Sequence, residues 1–188
     1  MIEIRIHGRG GQGAVVASRA LAAAAFRAGW YVQSYPDFGV ERRGAPVVAF
    51  ARIAEPGDVH FVRQDITEPH HVLILDSTLL TAAAVIGGLR PGGWVVVNTP
   101  DPPDRLGLPS ACRVASVDAS AIALEHGLGT PAQPVVNTAI LGAFARATGV
   151  IELEHLLAAI RAEVPVKADE NVAAAVAAYE GVVVGVAA

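Results

Sequence analysis

Near the start of the chain, three glycines separate a strand-like run from a helix-like run, and this arrangement constrains the fold more than any other feature. Residues 2–6 (IEIRI) predict a strand, and a helical pattern extends from residue 14 to about residue 28. Between them stands Gly8-x-Gly10-x-x-Gly13. Glycines permit a tight turn, and a helix N-terminus presents free N–H groups and the positive end of the helix dipole. Such a turn is suited to an anion, typically a phosphate.

Three interpretations of this turn are open from the sequence. In the first, it is a tight turn that packs a helix closely on a strand. In the second, it binds a dinucleotide, which calls for an acidic residue about 20 positions further on to hold a ribose. That place carries Gln33, Ser34 and Tyr35, with Asp37 only beyond Pro36, and this counts against a dinucleotide. In the third, the turn binds another phosphate-bearing ligand.

Strand-like and helical patterns alternate along most of the chain. Further strands are predicted at residues 30–35, 46–53, 71–76, 94–98 and 112–117, and helices at residues 78–89, 119–126, 138–148, 152–163 and 169–180. This order predicts one α/β domain over residues 1–188, with three layers and a mainly parallel or mixed sheet. It also predicts a Rossmann-like glycine-rich first βα turn and a helical C-terminal tail. The final GVVVGVAA is expected to pack on a neighbouring subunit.

Composition excludes several classes of function. The net charge of −4 is unlike that of a general nucleic-acid-binding surface, so we expect no nucleic-acid partner. The longest stretch free of charged residues, 126–145, holds two prolines and does not suit a membrane span. The single cysteine excludes an internal disulfide and a self-contained iron–sulfur cluster, which takes about four thiolates. A strand-like run directly at the start predicts no signal peptide, so we expect a cytoplasmic protein.

Two further groups of residues are judged structural rather than chemical. Glu68, His70, His71 and Asp76 are close in sequence, but adjacent histidines entering a strand point to opposite faces and do not share one metal ion. No metal site is predicted. Cys112 opens a strand without a histidine pattern around it, so a buried inert thiol is expected. No catalytic residue is predicted in this chain.

Four segments carry a resemblance to a known family. They are HGRGGQGAV, YPDFGVERRGAPVVAFARI, PVVNTAILGAFARATG and KADENVAAAVAAYEG. Together they resemble the gamma subunit of pyruvate:ferredoxin oxidoreductase and its 2-oxoacid relatives, over nearly the whole chain. Gly44-Ala45-Pro46 after Arg42-Arg43 is similar to the pyruvate or branched-chain 2-oxoacid branch.

The resemblance implies a heteromeric enzyme that forms acyl-coenzyme A and carbon dioxide from a 2-oxoacid while reducing ferredoxin. In that family a thiamine diphosphate subunit decarboxylates the 2-oxoacid and iron–sulfur clusters carry the electrons. This sequence has no GDG…N thiamine motif and one cysteine. The resemblance therefore implies that thiamine diphosphate, Mg²⁺ and 4Fe–4S clusters lie in partner subunits: alpha, beta (thiamine diphosphate) and delta (ferredoxin-like). We expect the isolated chain to be inactive.

For this chain, the resemblance implies a share in binding coenzyme A. The implied residues are Gly8, Arg9, Gly10, Gly11, Gln12, Gly13, Arg42, Arg43 and Asn137. Arginines suit bidentate contacts with phosphate, and Gln12 would bond either the pantetheine amides or the loop itself. Each assignment has an ordinary alternative: the arginines are surface or interface charges, and Asn137 before Thr138 is a helix N-cap.

Two rival functions use the same features. The chain is a stand-alone regulatory module that binds NAD or a mononucleotide, or it is a structural scaffold in which the glycine-rich segment is merely a turn. Preferential binding of NAD over coenzyme A would favour the first rival.

Overall fold

The structure, a computed structural model, describes residues 1–37, 44–57, 64–81, 83–110 and 112–186. Its strands are β1 (Ile2–Arg9), β2 (Tyr31–Pro36), β3 (Pro46–Ala54), β4 (His71–Ile74), β5 (Trp94–Asn98), β6 (Arg113–Val117), β7 (Gly129–Thr130), β8 (Gln133–Pro134) and β9 (Val183–Val186). Its α-helices are α1 (Ala14–Arg27), α2 (Ala119–Glu125), α3 (Ala139–Thr148), α4 (Leu153–Glu163) and α5 (Ala168–Gly181). The predicted α/β fold with a helical C-terminal segment is confirmed.

A mixed seven-stranded sheet in the order β2-β3-β1-β4-β5-β6-β9 forms the centre of the molecule. Neighbouring strands β1, β4, β5 and β6 are parallel, whereas β3 runs antiparallel to both β1 and β2. The carboxyl ends of the four parallel strands therefore meet at one edge, where ligand sites of α/β sheets form.

The two faces of the sheet bury different layers. On one face, the helices cover alternate residues such as Ile4, Ile6, Leu73 and Val96, and Phe144 of α3 is fully buried among them. On the other face, a smaller cluster is covered by short segments, including 3-10 helices at Ser77–Thr81 and Ala83–Val85. Strand alternation explains this division, because successive side chains point to opposite faces.

Two predicted elements were wrong. The first strand runs to Arg9 rather than residue 6, so Gly8 lies inside β1 opposite Val47 and not in the turn. The predicted helix 78–89 is two short 3-10 helices. The final segment, for which no strand was predicted, forms β9 over Val183–Val186, antiparallel to β6, and its packing on a neighbour stays a prediction.

A buried arginine explains why residues 78–89 do not form an α-helix. The side chain of Arg5 is only 8% exposed, and its guanidinium donates hydrogen bonds to the carbonyls of Val85 (2.9 Å) and Gly87 (2.7 Å). It also reaches the carbonyl of Ile66 (3.4 Å). A regular helix would use such carbonyls for its own i→i+4 hydrogen bonds. Gly88, with φ of 75°, then turns the chain.

Within the described ranges, no helix is both long and apolar enough to cross a membrane.

Candidate functional site

The turn between β1 and α1 is held open by two glycines in left-handed backbone. Gly11 has φ of 98° and Gly13 has φ of 83°, values that L side chains rarely adopt. Gly10 extends the pairing of β1, because its N–H donates to the carbonyl of Ala45 (2.8 Å) and its carbonyl accepts from the N–H of Gly44 (3.1 Å). The turn is thus anchored on one side and tightly bent on the other.

The N-terminus of α1 lies open at this turn. The first hydrogen bond of the helix runs from the N–H of Ala17 to the carbonyl of Gly13 (2.9 Å). The N–H groups of the preceding helical residues therefore point forward without intrahelical partners. Gly13 at the N-cap has no side chain that could accept from these N–H groups, and the side chains of the first turn, residues 14–17 (AVVA), are all apolar. This end of the helix is suited to an anion.

Arg9 and Gln12 form a compact network with Asp76 at the carboxyl edge of the sheet. Nε of Arg9 donates to Oδ2 of Asp76 (3.1 Å), and its Nη2 donates to Oγ1 of Thr78 (2.8 Å). Gln12 donates through Nε2 to the same Oδ2 (3.1 Å), while its Oε1 accepts from the N–H of Arg9 (2.7 Å). Of the two roles proposed for Gln12, the structure shows the bond to the loop itself.

The network stabilises the ionised form of Asp76. Partial burial raises the pKa of this carboxyl. The opposing effects are larger: they are hydrogen bonds from the hydroxyl and the N–H of Thr78, a hydrogen bond from Gln12, and the positive charge of Arg9. The net effect is a pKa below the ordinary value. Sequence reasoning did not include Asp76 among the site residues, although its position after a buried strand at the sheet edge was a usable signal.

Asn137 lies directly against Gly13. A Cβ atom built on Gly13 would collide with the side-chain amide of Asn137. Asn137 is 6% exposed; its Oδ1 accepts from the N–H of Thr138 (2.9 Å), and its Nδ2 has no hydrogen-bond partner among the described residues. The N-cap of α3 is Thr138, and neither residue caps α3 through its side chain. The interpretation of Asn137 as a helix N-cap was therefore wrong.

A short hairpin of β7 and β8 closes the turn from the helical side. Nε2 of Gln133 reaches the carbonyl of Gly11 (3.4 Å). The turn, including Gly11 and Gly13, lines a depression of about 220 Å³. Asn137 lines a separate cavity of about 530 Å³. Gly13 of the depression and Asn137 of the cavity are in direct contact.

Arg42 and Arg43, implied as phosphate-binding residues, lie outside the described residues. The residue that follows them, Gly44, is described, and its carbonyl accepts a hydrogen bond from Nη1 of Arg9 (3.2 Å). Gly8 contributes space rather than turn geometry, because a Cβ on it would lie 3.0 Å from Cδ1 of Leu75.

The histidines near β4 have separate structural roles. Nδ1 of His70 accepts from the N–H of Glu3 (3.1 Å), whereas His71 accepts from the N–H of Trp94 (3.3 Å) and packs edge-on against Phe144. Burial, with the nearby charges of His70 and Arg113, lowers the pKa of His71 to about 4. In the part of the chain that the structure describes, no group of three or more metal-ligating side chains is found.

The sheet order removes Asp37 as a candidate for the ribose-binding acid of a dinucleotide-binding fold. In a dinucleotide-binding fold, the acid that holds the ribose ends the strand next to β1. Here β3 lies between β1 and β2, so the end of β2 is two strand spacings, about 10 Å, from β1. The residue after β2, Asp37, therefore cannot take that role as it would in a Rossmann fold.

The fold and the turn define a mixed α/β domain with an open helix N-terminus at the switch between parallel and antiparallel strands. A sequence model of the pyruvate ferredoxin/flavodoxin oxidoreductase family matches residues 3–181. The common gamma subunit of pyruvate and ketoisovalerate oxidoreductases from Thermococcus kodakarensis is 50% identical over 164 residues, which cover 86% of this chain and 85% of that protein. The chain belongs to this oxidoreductase family, as one of its gamma-type subunits.

One solved structure agrees with this assignment, and a second shares the fold. The crystal structure of the pyruvate oxidoreductase subunit PORC from Thermotoga maritima superimposes with a TM-score of 0.82 at 36% identity, over 98% of each chain. A 2-oxoglutarate:ferredoxin oxidoreductase from Magnetococcus marinus, solved with 2-oxoglutarate, coenzyme A and succinyl-CoA bound, gives a TM-score of 0.69 at 21% identity. That match covers 95% of this chain and 30% of the other, and it shows a shared fold.

Proposed function

We propose that this chain binds coenzyme A for a pyruvate or related 2-oxoacid:ferredoxin oxidoreductase in the cytoplasm. The complete reaction converts a 2-oxoacid, coenzyme A and oxidised ferredoxin into acyl-coenzyme A, carbon dioxide and reduced ferredoxin. The chain acts as a binding subunit in this reaction. Alpha, beta and delta subunits supply thiamine diphosphate with Mg²⁺ and the 4Fe–4S clusters.

One observation carries the proposal: Gly13, the N-cap at the open N-terminus of α1, is in direct contact with Nδ2 of Asn137, which has no hydrogen-bond partner among the described residues. This nitrogen is not among the fully buried unpaired atoms, so it is accessible to a ligand or to water and can donate to either. Backbone N–H groups and an amide donor together suit the pyrophosphate of coenzyme A. The presence of coenzyme A in the solved Magnetococcus marinus enzyme, which shares the fold, supports this choice of ligand.

The arginines complete the proposed anion site. Arg9 is held at the turn by Asp76 and Thr78. Arg42 and Arg43 precede Gly44, which is hydrogen-bonded to the turn. A guanidinium binds phosphate oxygens in pairs and keeps its charge at all physiological pH values.

The turn is tested in the enzyme reconstituted with its partner subunits. Gly13→Ala adds a methyl group that collides with Asn137 and forces an L residue into left-handed backbone, so the KM for coenzyme A should rise at least tenfold. Gly29→Ala is the matched control, because Gly29 has a similar φ of 87° but has nothing within 4 Å of its Cβ position. An equal KM for the two variants would contradict the proposal.

Three further measurements separate the proposal from its rivals. Replacing Arg42 and Arg43 with alanine should raise the KM for coenzyme A, and an unchanged value would support the scaffold interpretation. Turnover by the isolated polypeptide would refute the division of labour between subunits. In a titration with NAD and coenzyme A, a preference for NAD would support the nucleotide-module interpretation instead.

A further inference from the structure

Two buried polar side chains behind Asn137 have no role in the function proposed above. They belong to Thr138, the fully buried N-cap of α3, and to Asn171, which lies near the start of α5 and is 4% exposed. The hydroxyl of Thr138 donates to Oδ1 of Asn171 (2.6 Å). This hydrogen bond joins the starts of two helices that are 33 positions apart in the sequence.

The direction of the Asn171 amide is determined by its neighbours. Its Nδ2 donates to the carbonyls of Lys167 (2.7 Å) and Val166 (3.4 Å), and a carbonyl oxygen can only accept. If the amide were turned around, Oδ1 would lie against both of these oxygens. Oδ1 therefore faces Thr138, and the hydroxyl of Thr138 must be the donor in this pair.

The same two helices come into backbone contact one turn further on. A Cβ atom built on Gly142 of α3 would overlap the carbonyl oxygen of Ala175 of α5. The step from Thr138 to Gly142 and the step from Asn171 to Ala175 are both about one helical turn, so α3 and α5 run side by side in the same direction. The start of α3 is therefore fixed by close helix packing and by a buried hydrogen bond.

Asn137 depends on this fixed point because it precedes Thr138 in the chain. Oδ1 of Asn137 accepts from the N–H of Thr138 (2.9 Å), and this bond sets the orientation of the Asn137 amide. Nδ2 then lies against Gly13 at the N-terminus of α1. The atom that Asn137 presents at the turn is therefore its N–H donor.

We propose that Thr138 and Asn171 are positioning residues, which hold the amide of Asn137 in place for the ligand of the turn. Their hydrogen bond fixes the backbone of Thr138, and the N–H of Thr138 in turn fixes the amide. Both residues act through Asn137. This inference rests on the proposed function, in which the amide of Asn137 donates to the pyrophosphate of coenzyme A.

Thr138→Val tests the inference in the assembled enzyme complex, because valine keeps the shape of threonine and removes the hydroxyl. The KM for coenzyme A should rise about tenfold, the effect of losing one hydrogen bond to a charged group, while kcat stays almost unchanged. Thr138→Ser keeps a hydroxyl and should restore most of the affinity. Thr148→Val is the matched control, because the hydroxyl of Thr148 donates to the carbonyl of Phe144 (2.8 Å) at the opposite end of α3.

A second set of variants shows whether Thr138 acts through Asn137. Asn137→Ala alone should raise the KM, and adding Thr138→Val to it should cause no further rise, since no amide is left to position. Additive rises in this double variant would overturn the inference. A wild-type KM in Thr138→Val, or an equal rise in Thr148→Val, would overturn it as well. Should Thr138→Val fail to assemble, Asn171→Ala takes its place under the same criteria.

Gly13→Ala separates this inference from the proposed function. An unchanged KM for coenzyme A in Gly13→Ala would refute the proposed function itself. A raised KM in both Gly13→Ala and Asn137→Ala, with no rise in Thr138→Val, would remove the positioning role alone.

Discussion

Nε of Arg9 lies 3.1 Å from Oδ2 of Asp76. Arg9 is the last residue of β1, and Asp76 lies two residues after the end of β4, so this contact joins the ends of two neighbouring strands. The same carboxylate oxygen accepts from Gln12 within the turn. One acid therefore orients both polar side chains of the glycine-rich turn.

Replacing Asp76 with alanine should destabilise the chain. Arg9 and Gln12 both lose an acceptor, and hydrogen bonds to a charged group contribute about 1.5–3 kcal/mol each before exposure reduces them. Because both donors are partly exposed, we expect a loss of about 1–2 kcal/mol in the free energy of unfolding by urea. Asp104→Ala, at an exposed 3-10 helix, is the control and should change stability by less than about 0.5 kcal/mol. Equal losses in the two variants would show that the network is not stabilising.

The contact between Gly13 and Asn137 should appear as an energetic coupling. Gly29→Ala should cost about 1–2 kcal/mol, from left-handed backbone alone, and Gly13→Ala should cost more because of the collision. The double variant Gly13→Ala with Asn137→Ala has no collision. Its loss in the free energy of unfolding should therefore be smaller than the sum of the losses in the two single variants, by about 0.5 kcal/mol or more. Strict additivity in this double-mutant cycle would argue against the contact.

Arg5→Met should be among the most destabilising single changes on the sheet. The variant keeps much of the side-chain volume but leaves the carbonyls of Val85, Gly87 and Ile66 without their donor. Each buried carbonyl left without a donor costs about 1–3 kcal/mol. Because water can hydrogen-bond to some of these carbonyls in the variant, we expect a total loss of about 3 kcal/mol in the free energy of unfolding. Arg105→Met, at an exposed position, serves as the comparison in the same denaturation experiment. A loss below about 1 kcal/mol in Arg5→Met would contradict the proposed role of the guanidinium.

His7 should make the chain less stable in mild acid. This side chain is 8% exposed, and burial together with the charge of Arg5 lowers its pKa from 6.5 to about 4. As the pH falls, His7 therefore takes up a proton in the unfolded chain before it does so in the folded chain. The contribution of neutral His7 to the free energy of unfolding is fully present above pH 6.5 and is lost as the pH falls towards 4. For this one group the loss at pH 5 is about 2 kcal/mol.

The measurement compares the free energy of unfolding at pH 7.5 and pH 5 in wild type and in His7→Gln. The difference between the two pH values should shrink by about 2 kcal/mol in the variant, although His71 continues to contribute. Ser116→Ala removes a buried polar side chain of β6 that does not ionise, so this control should retain the wild-type difference. An unchanged pH dependence in His7→Gln would mean that His7 is accessible to protons in the folded chain.

Local patterns were sufficient to predict most elements of the fold. The strands β3 and β5 and the helices α3, α4 and α5 were predicted to within about two residues, because strongly apolar strands and periodic helices carry their own signals. The region of residues 78–89 was wrong because Arg5, distant in sequence, takes up its carbonyls. The strand β9 was missed because pairing with β6 is a tertiary contact that a short apolar run does not specify.

The candidate site was only partly accessible from sequence. The glycines were found from their spacing, and Asn137 only through the family resemblance. The partnership of Asp76 with Arg9 and Gln12 depends on the parallel pairing of β1 with β4, which no local pattern reveals. The cavity past Asn137 joins segments more than 100 residues apart, for example Val16 and Val166, and therefore appears only in the folded chain.

The contact between Gln133 and Gly11 has a consequence for the order of events during synthesis. The glycine-rich turn leaves the ribosome early, but the hairpin that closes it and the amide of Asn137 emerge more than 100 residues later. In a nascent chain, the turn therefore acquires its final surroundings only after most of the polypeptide has been made.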